Sequence, residues 1–290
     1  MRNPLIIAVI LCLIYGMFIK FGPKPVHVQM QSQWQDNRYA IEKYMRDSRS
    51  GNQYKVVFVG SSLTNRLDFN ENSGCVYNLS LGGDSSLTGL GAIANSAEIP
   101  RLVFIEINVP ERSVNQDLIN NGKRVEMRIS AIFYVENMPM NLALGLLHRP
   151  SKEKSAKTEP EINESILQNA LALQLRNYQI PISSDILNNN LVEFTHMVRG
   201  IEEKGGKVIL YEMPIHPDLE NTPRAVQIRN AFKKTFPNHK LLDFHELAGG
   251  GAIRTMDGMH LSSSEAINVV ENMTPYINSI CTKDLSLNPR

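Results

Sequence analysis

The chain has 290 residues, 42% of them hydrophobic, and its 30 basic and 29 acidic side chains leave a formal charge of +1. That length and apolar content support one large domain, or a domain with an insertion, around a sizeable core. So even a charge balance excludes nucleic acid as a principal partner, because a grip on phosphates needs a basic surplus.

After Met1-Arg2-Asn3 comes PLIIAVILCLIYGMFI, Pro4 to Ile19, sixteen residues without a charge, closed by Lys20. Such a segment reads as a membrane anchor near the lower length limit for a spanning helix, or as a signal peptide. No small-x-small cleavage site follows, which favours the anchor, and Leu11 before Cys12 is a poor fit to a lipoprotein site. Arg2 on one flank is matched by Lys20 and Lys24 on the other, so charge does not set sidedness. Export of the remainder to a periplasmic or extracellular face is therefore an expectation from how such segments behave, and cleavage would leave the protein secreted. A buried amino-terminal helix is the plainer alternative, but it normally shows polar positions at every turn.

Residues 21–33 read as a polar tether to a domain spanning 34–290, which opens with WQDNRYAIEKYMRDSRSG, a surface helix stopped by Gly51. Strands are expected at Lys55–Gly60, Val76–Leu79, Arg101–Asn108, Lys207–Met213 and Lys240–Phe244. Helical patterns at Ser86–Ala97, Pro223–Phe236 and Ser263–Ile280 alternate with them. Apolar, β-branched runs such as KVVFVG read as strands covered on both faces, and their alternation with helices predicts a parallel sheet between two helical layers.

One interval, Glu111 to Pro181, breaks the rhythm with no clear strand, the apolar patch NMPMNLALGLL and the charged stretch SKEKSAKTEPE. It reads as an inserted helical subdomain with a mobile linker, expected to shape the cleft. The patch would admit the acyl chain of a lipid ester, although a buried helix is its plainer reading. The helix Asp185–Glu203 then returns the chain to the sheet and ends at Gly205-Gly206. Three cysteines make no disulfide scaffold; Cys75 and Cys281 could pair in an oxidising compartment, but two buried thiols is the preferred reading.

The chemistry starts where the first expected strand ends, at Ser61, Ser62 and Thr64, because ligands of open α/β sheets sit at the carboxyl ends of strands. Far along the chain, TMDGMHLSSSEA places Asp257 and His260 three apart on a loop before a helix that opens with a Ser-x-x-Glu start. A serine becomes a nucleophile when an imidazole takes its proton and a carboxylate holds that imidazole in the right tautomer. The tetrahedral oxyanion needs preorganised donors. NLSLGGDSS with Gly83 and IEINVPE with Asn108 stand at other strand ends to supply them. Each piece alone has a blander reading: a helix-capping serine, a turn asparagine, a surface Asp-His pair. His216 in MPIHP reads either as a cleft residue or as an ordinary loop residue, and His245 with Glu246 as a solvated turn. No cluster has metal-ligand spacing.

Taken together, VGSSLT, NLSLGGDSS, EIN and DGMHLS, in this order, resemble the four signature blocks of the SGNH/GDSL hydrolase family, over roughly Lys55–Asn108 and Gly206–Ile280. The resemblance implies a three-layer α/β/α sandwich with a flavodoxin-like central parallel sheet, and acyl-ester hydrolysis or acyl transfer without a cofactor. It implies Ser62 as nucleophile, Asp257 and His260 as the rest of the triad, and Ser62, Gly83 and Asn108 as oxyanion donors. Two departures stand out. Gly60-Ser61-Ser62 replaces the family's Gly-Asp-Ser and leaves a choice of serine, in which position after the glycine favours Ser62. Glu106-Ile107-Asn108-Val109 replaces Gly-x-Asn-Asp, and the Glu106 carboxylate, sharing strand parity with Asn108, is expected near the cleft.

The expectation is a membrane-anchored serine esterase, foremost an O-acetylesterase on an envelope or exported carbohydrate. An O-acetyltransferase using the same acyl-enzyme, with its acyl donor delivered by a membrane partner, is the alternative. A non-catalytic glycan-binding or assembly scaffold is the third reading. Glu106 in place of glycine supports it, and the retained Ser62, Asp257 and His260 count against it.

Overall fold

The computed structural model describes residues 3–22, 30–51, 54–69, 74–126, 134–147, 164–244 and 253–282. Five strands, β1 (Val56–Val59), β2 (Val76–Asn78), β3 (Leu102–Glu106), β4 (Lys207–Glu212) and β5 (Leu241–Asp243), form one sheet in the order β2-β1-β3-β4-β5. All four neighbouring pairs are parallel, and each strand lies inside the stretch expected from sequence. The helices are α1 (Pro4–Phe21), α2 (Gln33–Arg49), α3 (Ser86–Ala94), α4 (Gln116–Glu126), α5 (Pro139–Leu147), α6 (Glu164–Tyr178), α7 (Ser184–Glu203), α8 (Pro217–Glu220), α9 (Pro223–Thr235) and α10 (Ser263–Thr282).

Strand alternation sorts the core into two layers. Val57, Val59, Val103, Ile105 and Leu210 point to one face, against Ile41 of α2, Leu90 of α3, Leu118 of α4, Phe194 of α7 and Phe232 of α9. Val56, Phe58, Phe104 and Tyr211 point to the other, where Leu171 of α6, Leu219 of α8 and Val269 and Met273 of α10 cover them. On this second face Phe58 stacks between Phe69 and Phe104, with ring centroids 4.0 and 4.5 Å apart. Each large side chain so buried contributes about 1.5–3 kcal/mol of transfer free energy, which is what holds a short-stranded sheet flat against its helices. This is the three-layer α/β/α arrangement with a central parallel sheet expected from sequence.

Strand order reverses at β1, whose neighbours β2 and β3 follow it on opposite sides. In a sheet of order 2-1-3-4-5 the crevice outside the β1 and β3 carboxyl ends is the binding position, because the connecting segments diverge there. Ser61 and Ser62 leave β1 at that point, and the segment after Glu106 leaves β3.

Helix α1 is long and apolar enough to cross a membrane, and none of its residues is buried. Asn3 caps its start by accepting from the Leu5 N–H. Tyr15 donates to the Asn137 carbonyl. In the interval Glu111–Pro181, α4 packs on α2, and α6 packs on α8 and α9. Residues 127–133 and 148–163, including SKEKSAKTEPE, lie outside the described residues, as do 23–29 of the tether and the pair His245 and Glu246.

Cys75 and Cys281 are joined, with Cα atoms 6.0 Å apart, which overturns the reading of two buried thiols. Cys75 lies just before β2 and Cys281 in the last turn of α10, on the same face of the sheet. Their separation of 206 positions gave no sign of that proximity in sequence. Cys12 in α1 is free and exposed.

Candidate active site

Gly60 closes β1. A Cβ there would lie 2.5 Å from Glu106 Oε2 and 2.7 Å from Thr64 Oγ1, so only glycine lets the neighbouring carboxylate come so close. The chain then turns sharply. Ser61 is 1% exposed, whereas Ser62 is half-buried and borders an open cleft of about 410 Å³. The choice between the two serines is thus decided by accessibility.

The loop before α10 brings its own side chains to Ser62. Asp257 Oδ1 accepts the N–H groups of Met259 and His260 at 3.0 and 2.8 Å, folding the loop into a tight turn around Gly258, whose φ of +88° suits glycine. Ser262 caps α10 through its carbonyl, which accepts from Ala266 N–H, and its hydroxyl, which accepts from Glu265 N–H at 3.3 Å. His260 is held between these anchors. Its Nδ1 lies 2.7 Å from Asp257 Oδ2 and its Nε2 lies 2.9 Å from Ser62 Oγ.

Burial by itself would raise the Asp257 pKa. The hydrogen bonds from the His260 ring and N–H, the imidazole charge and the Met259 N–H outweigh it and hold the carboxyl at about 2. Asp257 is therefore an ionised acceptor at neutral pH, so the imidazole proton sits on Nδ1 and the Nε2 lone pair accepts from the Ser62 hydroxyl. The arrangement can move a proton from Ser62 Oγ to His260 while Asp257 stabilises the imidazolium that results.

The other expected residues are placed differently. Asn108 is 6% exposed, and its side chain bridges β3 to the end of β4: Oδ1 accepts from Met213 N–H at 2.7 Å and Nδ2 donates to Met213 O at 2.9 Å. Met213 lies just past the last residue of β4, and without Asn108 both its backbone groups would lack a ladder partner. Gly83 has φ of +68° and is exposed beside the Gln33 side chain, two residues beyond the Leu81 N–H bond to Gly60 O.

Glu106 was expected at the cleft and is instead buried beneath the Gly-Ser-Ser turn, where Ser61 and Thr64 donate to it. The strand parity was right, but a side chain at the last position of β3 ends under the neighbouring β1 turn. His216 caps the short helix α8, its Nδ1 accepting from Asp218 N–H at 3.3 Å. Its backbone N–H donates to Gly258 O at 2.9 Å, so it steadies the Asp257–His260 loop without forming a wall of the cleft.

The cleft's far wall is drawn largely from the interval 111–181 expected to shape it, but the individual residues, and Arg224 beyond it, were not named from sequence. Glu111 and Arg112 follow β3, Asn177 and Tyr178 end α6, and Arg224 begins α9. Arg224 pairs with Glu111 at 2.9 Å and lies over the Tyr178 ring, 5.6 Å from its centroid. Glu111 Oε2 is buried with no hydrogen-bond partner among the described residues. The available signal was topological, since each of these residues follows a strand end or sits at a helix end on the same edge of the sheet.

Fold and site define a three-layer α/β/α protein with a five-stranded parallel sheet and a hydrogen-bonded Ser62–His260–Asp257 series at its carboxyl edge. No protein-family model matches the sequence, and no curated protein matches it. Among solved structures, the crystal structure of TesA is similar with a TM-score of 0.40 and 17% identity, covering 78% of this chain and 98% of that one. A Bacteroides fragilis protein provisionally named an acylhydrolase is similar with a TM-score of 0.42 and 14% identity, covering 83% and 97%. With TM-scores below one half, neither bears on the chemistry, which rests on the chain's own geometry.

Proposed function

We propose that the protein is a serine-dependent acyl-ester hydrolase, foremost an O-acetylesterase acting on an envelope or exported carbohydrate. The observation that carries the reading is the Ser62–His260–Asp257 series opening on the cleft, with contacts of 2.9 and 2.7 Å. Ser62 Oγ attacks the ester carbonyl carbon as its proton passes to His260 Nε2, forming the C–O bond and a tetrahedral oxyanion. The Ser62 N–H, which has no partner among the described residues, supports this reading as the candidate donor for that oxyanion. Collapse breaks the bond to the leaving alcohol, which takes the proton from His260 and leaves an acyl-Ser62. Water, deprotonated by His260, then attacks the acyl carbon and restores the serine.

The cleft's far wall supports a hydroxyl-bearing substrate. The Asn177 amide and the Arg112 and Arg224 guanidiniums on that wall supply donors. The same wall favours the second reading, an O-acetyltransferase in which a sugar hydroxyl rather than water meets the acyl-enzyme. The joined cysteines support a domain on the oxidising side of a membrane, with α1 as its anchor. The scaffold reading needs no such proton path.

The test is release of p-nitrophenol from its acetate ester by the full chain in detergent, with and without an oligosaccharide acceptor. Turnover lost in Ser62→Ala supports the esterase, and acetylated oligosaccharide among the products turns it into a transferase. A wild-type chain inactive on acetyl and longer esters would favour the scaffold.

A further inference from the structure

Four consecutive backbone N–H groups, from Ser61 to Thr64, line the turn after β1. Ser61 N–H donates to Glu106 Oε2 at 2.9 Å, Leu63 N–H to Ser61 Oγ at 3.2 Å, and Thr64 N–H to Glu106 Oε2 at 3.3 Å. The two hydroxyls turn the same way: Ser61 Oγ donates to Glu106 Oε1 at 2.6 Å, and Thr64 Oγ1 to Oε2 at 2.7 Å, with Tyr211 Oη 2.6 Å behind it. The N–H of Ser62 is the one donor of the four that the carboxylate does not gather inward, directly or through Ser61, and Ser62, among these four residues, is the one that is not buried at the cleft.

We propose that Glu106 is a positioning residue for the acyl-transfer reaction: by drawing its neighbours' donors inward, it fixes the turn so that the Ser62 N–H points outward as the oxyanion donor. The proposal rests on the serine reading above. A buried carboxylate needs several donors to stay buried, and this one has four, all from the nucleophile's own turn. It also explains why an acid stands where the family resemblance has a glycine. Asn108, bound to Met213, contributes at most one remaining amide hydrogen, so the backbone donor at Ser62 carries more of the load.

Electrostatics and geometry predict opposite signs for Glu106→Gln. Burial raises the Glu106 pKa against the pull of its four donors; for the ionised form, removing a negative charge from beneath a developing oxyanion favours the transition state, so a charge effect alone would not lower kcat. The substituted glutamine, however, sets its amide donor against the Ser61 and Thr64 donors and releases the turn. The expected result is a fall of about 100-fold in kcat, the cost of one oxyanion donor, with KM nearly unchanged. Thr64→Val should lose part of that activity, while Thr64→Ser, which keeps the hydroxyl, retains it.

Ser62→Ala is measured alongside, with thermal melts of every variant. A Glu106→Gln enzyme that keeps kcat, or loses only in KM, overturns the proposal. Should that variant not fold, equal activity of Thr64→Val and Thr64→Ser overturns it instead. Activity undiminished in Ser62→Ala would sink the serine reading, and the positioning role with it.

Discussion

Ser62 Oγ and His260 Nε2 lie 2.9 Å apart although 198 positions separate the two residues in the chain. The contact joins the turn after the first strand to the loop before the last helix, and it is made only when both ends of the sheet's topology are in place. Replacing either side chain with alanine removes the proton path without touching the core. Turnover of an activated ester should fall by roughly 10⁴ to 10⁶ in both variants, with unchanged melting curves. A fluorophosphonate should label Ser62 alone, since Ser61 is 1% exposed and its hydroxyl is engaged by Glu106.

Asp257 gives a prediction with a definite sign. Its folded pKa, about 2, lies below its ordinary 3.8, so the stability it adds is fully present above the ordinary value and is lost as pH falls through about 2. Asp257→Asn should therefore lower the urea midpoint by a constant amount near neutral pH, and the gap should close only in strong acid. The side chain is 37% exposed, which keeps the effect modest. An acid limb of activity above pH ~4 belongs to another group, because Asp257 is still ionised there. A gap that widens as the pH drops would contradict the assignment.

Asn108→Ala separates two roles. If the side chain mainly bridges β3 to β4, its removal strands the Met213 N–H and C=O and costs about 1–3 kcal/mol of stability. Calorimetry should then show a lowered midpoint with kcat little changed below it. A fall of about 10²–10³ in kcat at unchanged stability would instead return Asn108 to the oxyanion site.

The layers were legible in sequence because each strand is a short apolar run between turn residues, and the helix face of Asp185–Glu203 repeats at helical spacing. Ser62, Asp257 and His260 were legible for a different reason: their chemistry is local, a serine after a strand and an Asp-x-x-His turn before a capped helix. What was not legible depends on partners far along the chain. The inward course of Glu106, the bond between Asn108 and Met213, and the cleft wall of Tyr178 and Arg224 follow from which strands are neighbours in the sheet. His216 misled because a strand-end position puts a residue near the site, while its ring was free to cap its own helix.

The Cys75–Cys281 bond closes a sequence separation of 206 residues and pins the last turn of α10 to the sheet edge. In the chain-entropy account, a loop that long contributes several kcal/mol, on the order of 2–5 in practice. Dithiothreitol, or Cys75→Ser, should lower the thermal midpoint by roughly 5–15 °C. Thiol labelling of the chain in a lysate of its native cells should modify Cys75 and Cys281 only after reduction. Free thiols there would place the domain on a reducing side and remove the support for export.

The most direct test of the whole account is to trap the intermediate. The full chain is mixed with p-nitrophenyl acetate, quenched in acid within one turnover, digested and weighed by mass spectrometry. The account predicts one added acetyl group on the peptide containing Ser62, absent in Ser62→Ala and greatly reduced in His260→Ala. Acetyl on a different residue, or steady p-nitrophenol release with Ser62 never acetylated, would contradict it.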